Sequence, residues 1–381
     1  MAIRVWILLF LLIGFSRVNG RKNSSSVMKN YTIQGENGEV IECVDIYKQP
    51  AFSHHFLKNH VIQMRPSSSP NVLKEDEKQF QRWQKYGKCP EGSIPILRTT
   101  LFNHSKTQLI LQNTPQLTAL GKKHREFAFV AMPQGGKYYG INGRLNLWNP
   151  KTYNGEYSLA EVRLTAGIIG NAAEINSIEA GWQVIEDNPK LFIHWTRDNF
   201  NQTGCYNLNC PGFVQVSNVI ALGADLHPVS TYDGPQFDLV ITVHKDMASG
   251  NWWLKANGQD IGYFPGSIFT SLAQNSNQVS WGGEITDSKR KASQNHTSTQ
   301  MGSGHLPSEG YKKAAYIHSI QYMNESGQFL DADHDNNMKT FAPFPGCYEL
   351  AFGEKGKFGL GVHFFYGGPP PSCGGIPGTK P

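Results

Sequence analysis

Two glutamates occupy closely similar surroundings in distant parts of this 381-residue chain. Glu179 lies in SIEAGWQV (177–184), and Glu284 lies in VSWGGEI (279–285). Two carboxylates brought close together could share one proton and activate a water molecule for hydrolysis. The positions of these residues in the sequence are also compatible with two unrelated glutamates exposed to solvent, because glutamate side chains are usually exposed. Hydrolytic chemistry therefore requires a fold that brings the two side chains together.

Both stretches predict β-strands, because apolar residues alternate with polar or small ones. Side chains at i and i+2 lie on one face of a strand. Glu179 therefore shares its face with Gly181 and Gln183, and Glu284 shares its face with Gly282. A glycine beside each carboxylate leaves room for a substrate or a neighbouring backbone.

The same alternation, with frequent Gly and Asn turns, continues from residue 126 onward. The predicted strands are 126–132, 143–148, 157–166, 177–186, 191–196, 213–221, 237–245, 251–256, 278–286, 313–323 and 361–366. The long amphipathic pattern of a helical domain is missing. We therefore predict an all-β domain, an antiparallel β-sandwich of two packed sheets, preceded by a small and mostly irregular N-terminal segment.

The first 20 residues predict a secretory signal peptide, since a short apolar run (5–15) follows Arg4 and small residues stand near Gly20. We expect a soluble product that is secreted to the extracellular space, the apoplast or cell wall, with no membrane partner. The asparagines of six N-x-S/T sequons agree with secretion and are candidate glycosylation sites: Asn23, Asn30, Asn103, Asn201, Asn295 and Asn324.

An even number of cysteines, six, indicates three disulfides in an oxidising compartment. Sequence alone allows fifteen pairings of six cysteines. Proximity favours Cys205–Cys210 and Cys347–Cys373, and Cys43–Cys89 would then close a separate N-terminal unit. A metal site at Cys205 and Cys210 lacks a second ligand pair nearby, so no metal is predicted.

Residues 21–120 differ from the rest in composition and charge. They hold 13 Lys and Arg against 8 Asp and Glu, whereas residues 121–381 hold 20 against 22. Opposite net charges would attract the two parts to each other. One short helix is predicted at 72–85 and an irregular tail at 94–120. The basic run GKKHR (121–125) is either an exposed processing site or a solvated loop.

Several other kinds of site are excluded. The scattered basic residues form no stripe with stacking aromatics, so no nucleic-acid partner is predicted. The chain has no HExxH, P-loop or GxSxG motif. Ser303 and His305 could be a nucleophile and its base, but the glycines at 302 and 304 favour a tight turn.

Seven aromatic residues either pack a core or line a groove that binds proline or sugar rings: Trp182, Trp252, Trp253, Tyr263, Phe264, Trp281 and Tyr366.

The chain resembles the neprosin family of secreted plant proteins. The N-terminal part carries the resemblance in CVDIYKQPAF (43–52) and LKNH (57–60). The main body carries it in IEAGWQV (178–184), TGCY (203–206), CPGFVQ (210–215), NWWL (251–254), WGGEI (281–285), QMGSGH (300–305) and FYGGP (365–369). The resemblance implies a glutamic prolyl endopeptidase, with residues 21–120 as its activation peptide and 121–381 as a catalytic β-sandwich.

The resemblance also implies that Glu179 and Glu284 are the catalytic pair. Gln183, Trp182, Trp281 and Tyr366 are the candidates for contacting the substrate or its oxyanion. The expected partners are a peptide or protein substrate and the chain's own pro-segment as an intramolecular inhibitor, in a monomer that needs no cofactor. The sequence leaves open which glutamate is the acid and which the base.

Two other functions remain compatible with the sequence. A glycosidase also uses two carboxylates, separated by roughly 5–9 Å. A catalytically silent module that binds cell-wall carbohydrate would need neither glutamate.

Overall fold

The computed structural model describes residues 31–69, 80–98, 124–153, 155–168, 171, 174–288, 296–333, 337–371 and 373. The strands are β1 (Tyr31–Gln34), β2 (Val40–Asp45), β3 (Ser93–Leu97), β4 (His124–Ala131), β5 (Gly140–Asn146), β6 (Ser158–Ala166), β7 (Asn176–Val184), β8 (Lys190–Thr196), β9 (Cys205–Tyr206), β10 (Val214–Gln215), β11 (Asp238–Lys245), β12 (Trp252–Ala256), β13 (Gln259–Phe264), β14 (Gln278–Asp287), β15 (Ala315–Met323), β16 (Phe329–Asp331), β17 (Lys339–Phe341), β18 (Glu349–Phe352) and β19 (His363–Gly367).

The helices in these residues are short 3-10 turns. They span Glu36–Gly38, Ile46–Lys48, Pro50–Ser53, His55–Leu57, Arg82–Tyr86, Gly266–Ile268, Ser271–Ala273, Pro307–Glu309 and Lys357–Gly359. Within the described ranges, no helix has the length and apolar character needed to cross a membrane. The predicted signal peptide, and the sequons at Asn23, Asn30, Asn103 and Asn295, lie outside the described residues.

Two large antiparallel sheets form a sandwich, which confirms the predicted fold class. One sheet has nine strands in the order β10-β13-β12-β11-β5-β15-β19-β18, with β16 paired to β15. The other has seven strands in the order β17-β4-β14-β6-β7-β8-β9. The buried apolar side chains of both sheets form one continuous core.

Tryptophans connect the two sheets across this core. Trp182 of β7 donates its indole N–H to the carbonyl of Asn146 at 3.2 Å, and Trp281 of β14 donates to the carbonyl of Asn142 at 2.9 Å. Both acceptors belong to β5 of the facing sheet. Each indole thus buries a large apolar surface and still satisfies its one polar group.

The prediction that Trp182, Trp281 and Tyr366 contact substrate is wrong for this structure. All three side chains are fully buried in the core. The ring of Tyr366 packs directly on Gly283, where an added Cβ would stand 2.5 Å from a ring carbon. Strand alternation explains the placement of the two tryptophans, because each lies three positions from its glutamate and an odd separation puts the two side chains on opposite faces of the strand.

Other sequence predictions also need correction. The strand predicted at 213–221 is only Val214–Gln215, because the loop after it gives its backbone groups to the N-terminal segment. In the main body, strands β9, β13 and β16–β18 were not predicted. A helix was predicted at 72–85. Its first part, 72–79, lies outside the described residues, and in the described part Arg82–Tyr86 forms a short 3-10 helix.

The N-terminal segment is more regular than predicted. Strands β1, β2 and β3 form a three-stranded antiparallel sheet, and β3 occupies the start of the stretch predicted as an irregular tail. The disulfide Cys43–Cys89 lies entirely within this segment. The structure also contains Cys205–Cys210 and Cys347–Cys373, the two pairs that proximity favoured, so all three predicted pairs are present.

The segment docks on the β10 edge of the nine-stranded sheet and on the loop that follows β10. Backbone and side-chain hydrogen bonds join Cys89 to Asn218, and Gln81 to Ala221. Farther along the sheet edge, the hydroxyl of Tyr263 in β13 contacts His60 at 2.7 Å. The segment also reaches β8, the strand paired with the one that carries Glu179, where the ring of His54 lies 6.2 Å from that of Trp195.

Candidate active site

Glu179 and Glu284 lie on two strands of the seven-stranded sheet that are separated by a single strand, β6. In the register, Glu179 of β7 lies opposite Arg163 of β6, and Glu284 of β14 lies opposite Leu159 of β6. Both glutamates lie on the face of this sheet that points away from the sandwich core, as their alternation with Trp182 and Trp281 requires. The fold thus brings together two residues that are 105 positions apart in sequence.

Every acceptor position of the Glu284 carboxylate is in use. Arg125 of β4 donates to both oxygens, from Nε at 2.5 Å and from Nη2 at 2.8 Å. The hydroxyl of Tyr157 donates to Oε1 at 2.5 Å, and Nη2 of Arg163 donates to Oε2 at 3.3 Å. A carboxylate offers about four lone-pair sites, so these four donors leave none for a water molecule.

Glu179 is held by three polar groups. Its Oε1 accepts from the hydroxyl of Ser177 at 3.0 Å and lies 3.4 Å from Nε of Arg163, and its Oε2 lies 3.3 Å from Nδ1 of His194. Burial alone would raise the pKa of Glu179, but Arg163, His194 and Arg125 together hold that pKa well below its usual value. Glu179 is therefore an ionised carboxylate with a fixed orientation.

A third carboxylate, Glu161, lies on β6 between the two glutamate-bearing strands. It is fully buried, and Nη2 of Arg163 lies 2.6 Å from its Oε1. Burial raises the pKa of Glu161 well above its usual value; Arg163 partly opposes this, and the charges of Glu179 and Glu284 add to it. One guanidinium, that of Arg163, consequently contacts three glutamates.

Gln183 lies on the same face as Glu179, as predicted from its position. The hydroxyl of Tyr206 donates to the amide oxygen of Gln183 at 2.7 Å. Because that oxygen is engaged, the NH₂ group is the end of the side chain that can donate to a substrate oxygen.

Aromatic side chains flank the glutamates on both sides. Next to Glu179, His194 stacks on Phe200 with ring centroids 4.2 Å apart, and Tyr206 stacks on the ring of Phe192. Next to Glu284, a second group consists of Phe127, Phe129 and Phe341. The carboxylates thus lie between two apolar surfaces.

The glycines beside the glutamates are required by the neighbouring strands. A Cβ on Gly181 would stand 1.9 Å from the carbonyl oxygen of Ala160, and one on Gly282 would stand 2.2 Å from that of Ala128. Both glycines were predicted to leave room for a substrate or a neighbouring backbone, and in the structure a neighbouring backbone approaches each of them.

Four residues around the glutamates were not predicted as site residues from the sequence: Glu161, Arg163, Arg125 and Tyr157. A usable signal existed for two of them: in SLAEVRLTA (158–166), Glu161 and Arg163 share one face of an otherwise apolar strand. Charged residues at i and i+2 among apolar neighbours indicate a paired, functional or buried polar face.

The turn at 302–305 carries no nucleophile–base pair. The Ser303 hydroxyl oxygen accepts the backbone N–H of His305 at 3.3 Å and that of Ala315 at 3.1 Å. The ring of His305 contacts Glu309 at 2.9 Å. The tight-turn interpretation therefore describes this stretch, with Gly302 and Gly304 both at positive φ.

One cluster has the spacing of metal ligands, although no metal was predicted. Glu126, Asp287 and His296 each offer a ligand atom within 4.8 Å of the others. Nε2 of His296 already lies 2.6 Å from Oε2 of Glu126, so this contact can neutralise a carboxylate without an ion.

Solved structures similar to this chain include two peptidases and one sialidase. Scytalido-glutamic peptidase, solved with a peptide-based transition-state analogue, matches 64% of this chain and 98% of its own at 7% identity, with a TM-score of 0.36. SCP-B, a member of the eqolisin family of peptidases in complex with the tripeptide Ala-Ile-His, matches the same shares at 8% identity and a TM-score of 0.34. The NanB sialidase from Streptococcus pneumoniae matches 59% of this chain and 42% of its own at 10% identity and a TM-score of 0.23.

Two family models match the sequence itself. The model described as Neprosin activation peptide matches residues 32–135, which include all of β4 and the whole three-stranded sheet except Tyr31. The model described as Neprosin matches residues 154–369, more than half of the chain and every strand from β6 to β19. Both glutamates lie within the second match. The chain belongs to the neprosin family and carries that family's N-terminal activation peptide.

Proposed function

We propose that this protein is the secreted zymogen of a glutamic endopeptidase, in which Glu179 and Glu284 activate a water molecule to hydrolyse peptide bonds. The observation that supports this most directly is the shared contact of both carboxylates with one guanidinium, that of Arg163. Membership of the neprosin family supports the same activity. The mechanism follows from the different surroundings of the two carboxylates.

We assign Glu179 as the general base because it is the ionised member of the pair and its three polar contacts leave one acceptor position for a water molecule. The contacts that lower its pKa also weaken it as a base. Glu284 would then carry the proton that polarises the scissile carbonyl and later passes to the leaving amine. The NH₂ group of Gln183 is placed on the same face, where it could stabilise the oxyanion.

The contacts of Glu284 explain why the described form would be latent. Guanidinium groups only donate hydrogen bonds, so a proton on Glu284 and the two-pronged contact of Arg125 exclude each other. Arg125 lies within the part matched by the activation-peptide model and within the basic run 121–125. We propose that maturation near this run releases Arg125 and lets Glu284 take up its proton.

Proline-containing peptides are the proposed substrates. The two aromatic groups beside the glutamates offer flat apolar faces, and proline rings dock readily in grooves lined by aromatic side chains. The expected products are peptides cut next to proline.

Secretion, and the division into residues 1–20, 21–120 and 121–381, remain proposals as well. Three disulfides favour an oxidising compartment. The protein recovered from the medium of a eukaryotic secretory host should begin after Gly20. Asn201 is exposed and Asn324 lies in a turn after β15, so both should carry glycan there.

The proposed activity is tested with purified full-length protein and a proline-containing peptide at pH 3 to 7, with products read by mass spectrometry. We expect Glu179→Gln and Glu284→Gln each to lose on the order of 10³-fold or more in activity, because Gln exchanges no proton. Glu354→Gln is the matched control, since Glu354 is exposed and pairs only loosely with Lys357, at 3.4 Å.

Other results of this experiment would refute the catalytic pair or indicate a different function. Near-normal activity of either catalytic variant would refute the assignment of the pair. Release of reducing sugar from cell-wall polysaccharide, with intact peptide, would identify a glycosidase. Hydrolysis of neither substrate after processing would leave a binding module.

A further inference from the structure

Glu161 occupies the centre of the face that carries the proposed catalytic pair. On one side its cross-strand neighbour is Gly181 of β7, and on the other it is Gly282 of β14. Neither neighbour has a side chain, so the Glu161 carboxyl is bordered there by backbone alone. Glu179 and Glu284 lie diagonally from it, two residues along each neighbouring strand.

The carboxyl of Glu161 is buried and poorly satisfied. The side chain is fully inaccessible, and neither oxygen accepts a hydrogen bond of normal geometry among the described residues. Its close neighbour is the guanidinium of Arg163, at 2.6 Å. Burying such a group is unfavourable unless it has a partner, so its presence at this position needs an explanation.

Arg163 supplies that explanation because it is the group that links the two catalytic carboxylates. Nε lies 3.4 Å from Oε1 of Glu179, and Nη2 lies 3.3 Å from Oε2 of Glu284 and 2.6 Å from Oε1 of Glu161. Nη2 is thus shared between Glu161 and Glu284. Without Glu161, the guanidinium would be free to rotate towards one catalytic carboxylate and leave the other.

We propose that Glu161 is a positioning residue for the proposed peptidase reaction, holding Arg163 where its guanidinium reaches Glu179 and Glu284 together. The inference rests on the function proposed above. Glu161 is not placed to touch the scissile bond, so it acts through Arg163 rather than as an acid or base.

Because burial raises the pKa of Glu161 well above its usual value, Glu161 keeps its proton in acid and becomes charged only on the alkaline side of the pH profile. The charged or titratable groups facing it across the sheet are Arg163, Arg125, Glu179, Glu284, Tyr157 and His194. Three carboxylates here face two guanidinium groups. Within such a cluster, each negative charge makes it easier for a neighbouring carboxyl to keep its proton.

Glu161→Gln keeps an oxygen acceptor for Arg163 but cannot lose a proton, so it removes the negative charge that Glu161 would acquire at higher pH. We expect it to retain peptidase activity in acid, with the alkaline limb of the kcat profile moved about one pH unit or more towards acid. Glu161→Leu removes the acceptor as well. We expect kcat for Glu161→Leu to fall about 100-fold with KM nearly unchanged, since substrate binding is not its role.

The controls separate positioning from folding and from the proposed activity. Both variants should be compared with wild type by circular dichroism and thermal melting, and Glu161→Gln serves if Glu161→Leu does not fold. An unchanged pH profile together with an unchanged kcat in Glu161→Gln would overturn the proposal.

Crystal structures of the variants give a readout that needs no catalysis. In Glu161→Leu, or in Glu161→Asp if the former does not fold, we expect Arg163 to lose contact with Glu179 or Glu284, beyond 4 Å. An unmoved guanidinium would refute the positioning role even if the wild-type chain cleaves no peptide. Conversely, a displaced guanidinium in a chain without peptidase activity would refute the proposed function alone.

Discussion

Gln49 of the activation peptide and Gln215 of β10 form a two-way hydrogen bond between a side-chain amide and a backbone. Oε1 of Gln49 accepts the backbone N–H of Gln215 at 2.8 Å, and its Nε2 donates to the backbone carbonyl of Gln215 at 3.1 Å. Both residues are almost completely buried. The amide of Gln49 therefore replaces a strand partner at the edge of the nine-stranded sheet.

Removing this amide should loosen the activation peptide. Gln49→Ala leaves two buried backbone groups of Gln215 unpaired, so we expect docking to weaken by about 2 kcal/mol. Hydrogen-exchange protection of residues 40–69 in the full chain should fall more than tenfold. The control is Gln34→Ala, an exposed glutamine of the same segment. Unchanged protection in Gln49→Ala would mean that other contacts hold the segment.

Docking of the activation peptide should also weaken in acid, because the peptide is bound by the carboxylate of Asp246, the residue that follows β11. Its Oδ2 accepts from Nε2 of Gln63 at 2.6 Å and from the backbone N–H of Ser67 at 2.9 Å. Burial opposes ionisation, but these hydrogen bonds and that from Ser249 lower the pKa of Asp246 to about 2 from 3.8. A depressed pKa stabilises the docked state above pH 3.8 and loses that contribution as the pH falls towards 2.

The measurement is hydrogen-exchange protection of residues 60–69 between pH 5 and 2, corrected for intrinsic exchange rates. Wild type should lose protection over this interval. Asp246→Asn should start lower at pH 5 and change less, since Asn does not take up a proton. A parallel decline in both proteins would exclude Asp246 as the acid-sensitive contact.

His244 should make the folded protein less stable in mild acid. Burial, with a smaller contribution from Lys255, lowers the pKa of His244 to about 4 from 6.5. The contribution of neutral His244 to the free energy of unfolding is fully present above pH 6.5. It is lost as the pH falls from 6.5 to 4, by up to about 3 kcal/mol. Denaturant unfolding of His244→Leu at pH 7 and pH 4 should show a smaller loss than wild type. His55→Leu, at an exposed histidine, should behave as wild type does.

Releasing Glu284 from Arg125 should activate the uncut chain. Arg125→Ala removes two of the four donors to Glu284, so the full-length variant should cleave a proline-containing peptide at least tenfold faster than uncut wild type. Lys339→Ala, at an exposed cation of the neighbouring strand β17, should stay latent. If Arg125→Ala is as silent as uncut wild type while the processed wild type is active, another part of the chain blocks the site.

Much of the fold could be predicted because period-2 alternation is a local property of the sequence. The stretches around Glu179 and Glu284 were predicted as strands with each glutamate on the face opposite its tryptophan, and β7 and β14 have that arrangement. Two of the disulfide pairs followed from proximity along the chain, and the third joined the two cysteines that remained. The short strand β13 and the edge strands β16–β18 gave no comparable pattern.

The sequence by itself determined which side chains share a strand face, since the backbone fixes that alternation wherever a strand forms. Only the tertiary structure decided that β6 lies between β7 and β14, and so that Glu161 and Arg163 lie between the two glutamates. Strand order depends on pairing between distant segments, which no local pattern encodes. The same pairing places Arg125 of β4 on Glu284, 159 residues away in sequence.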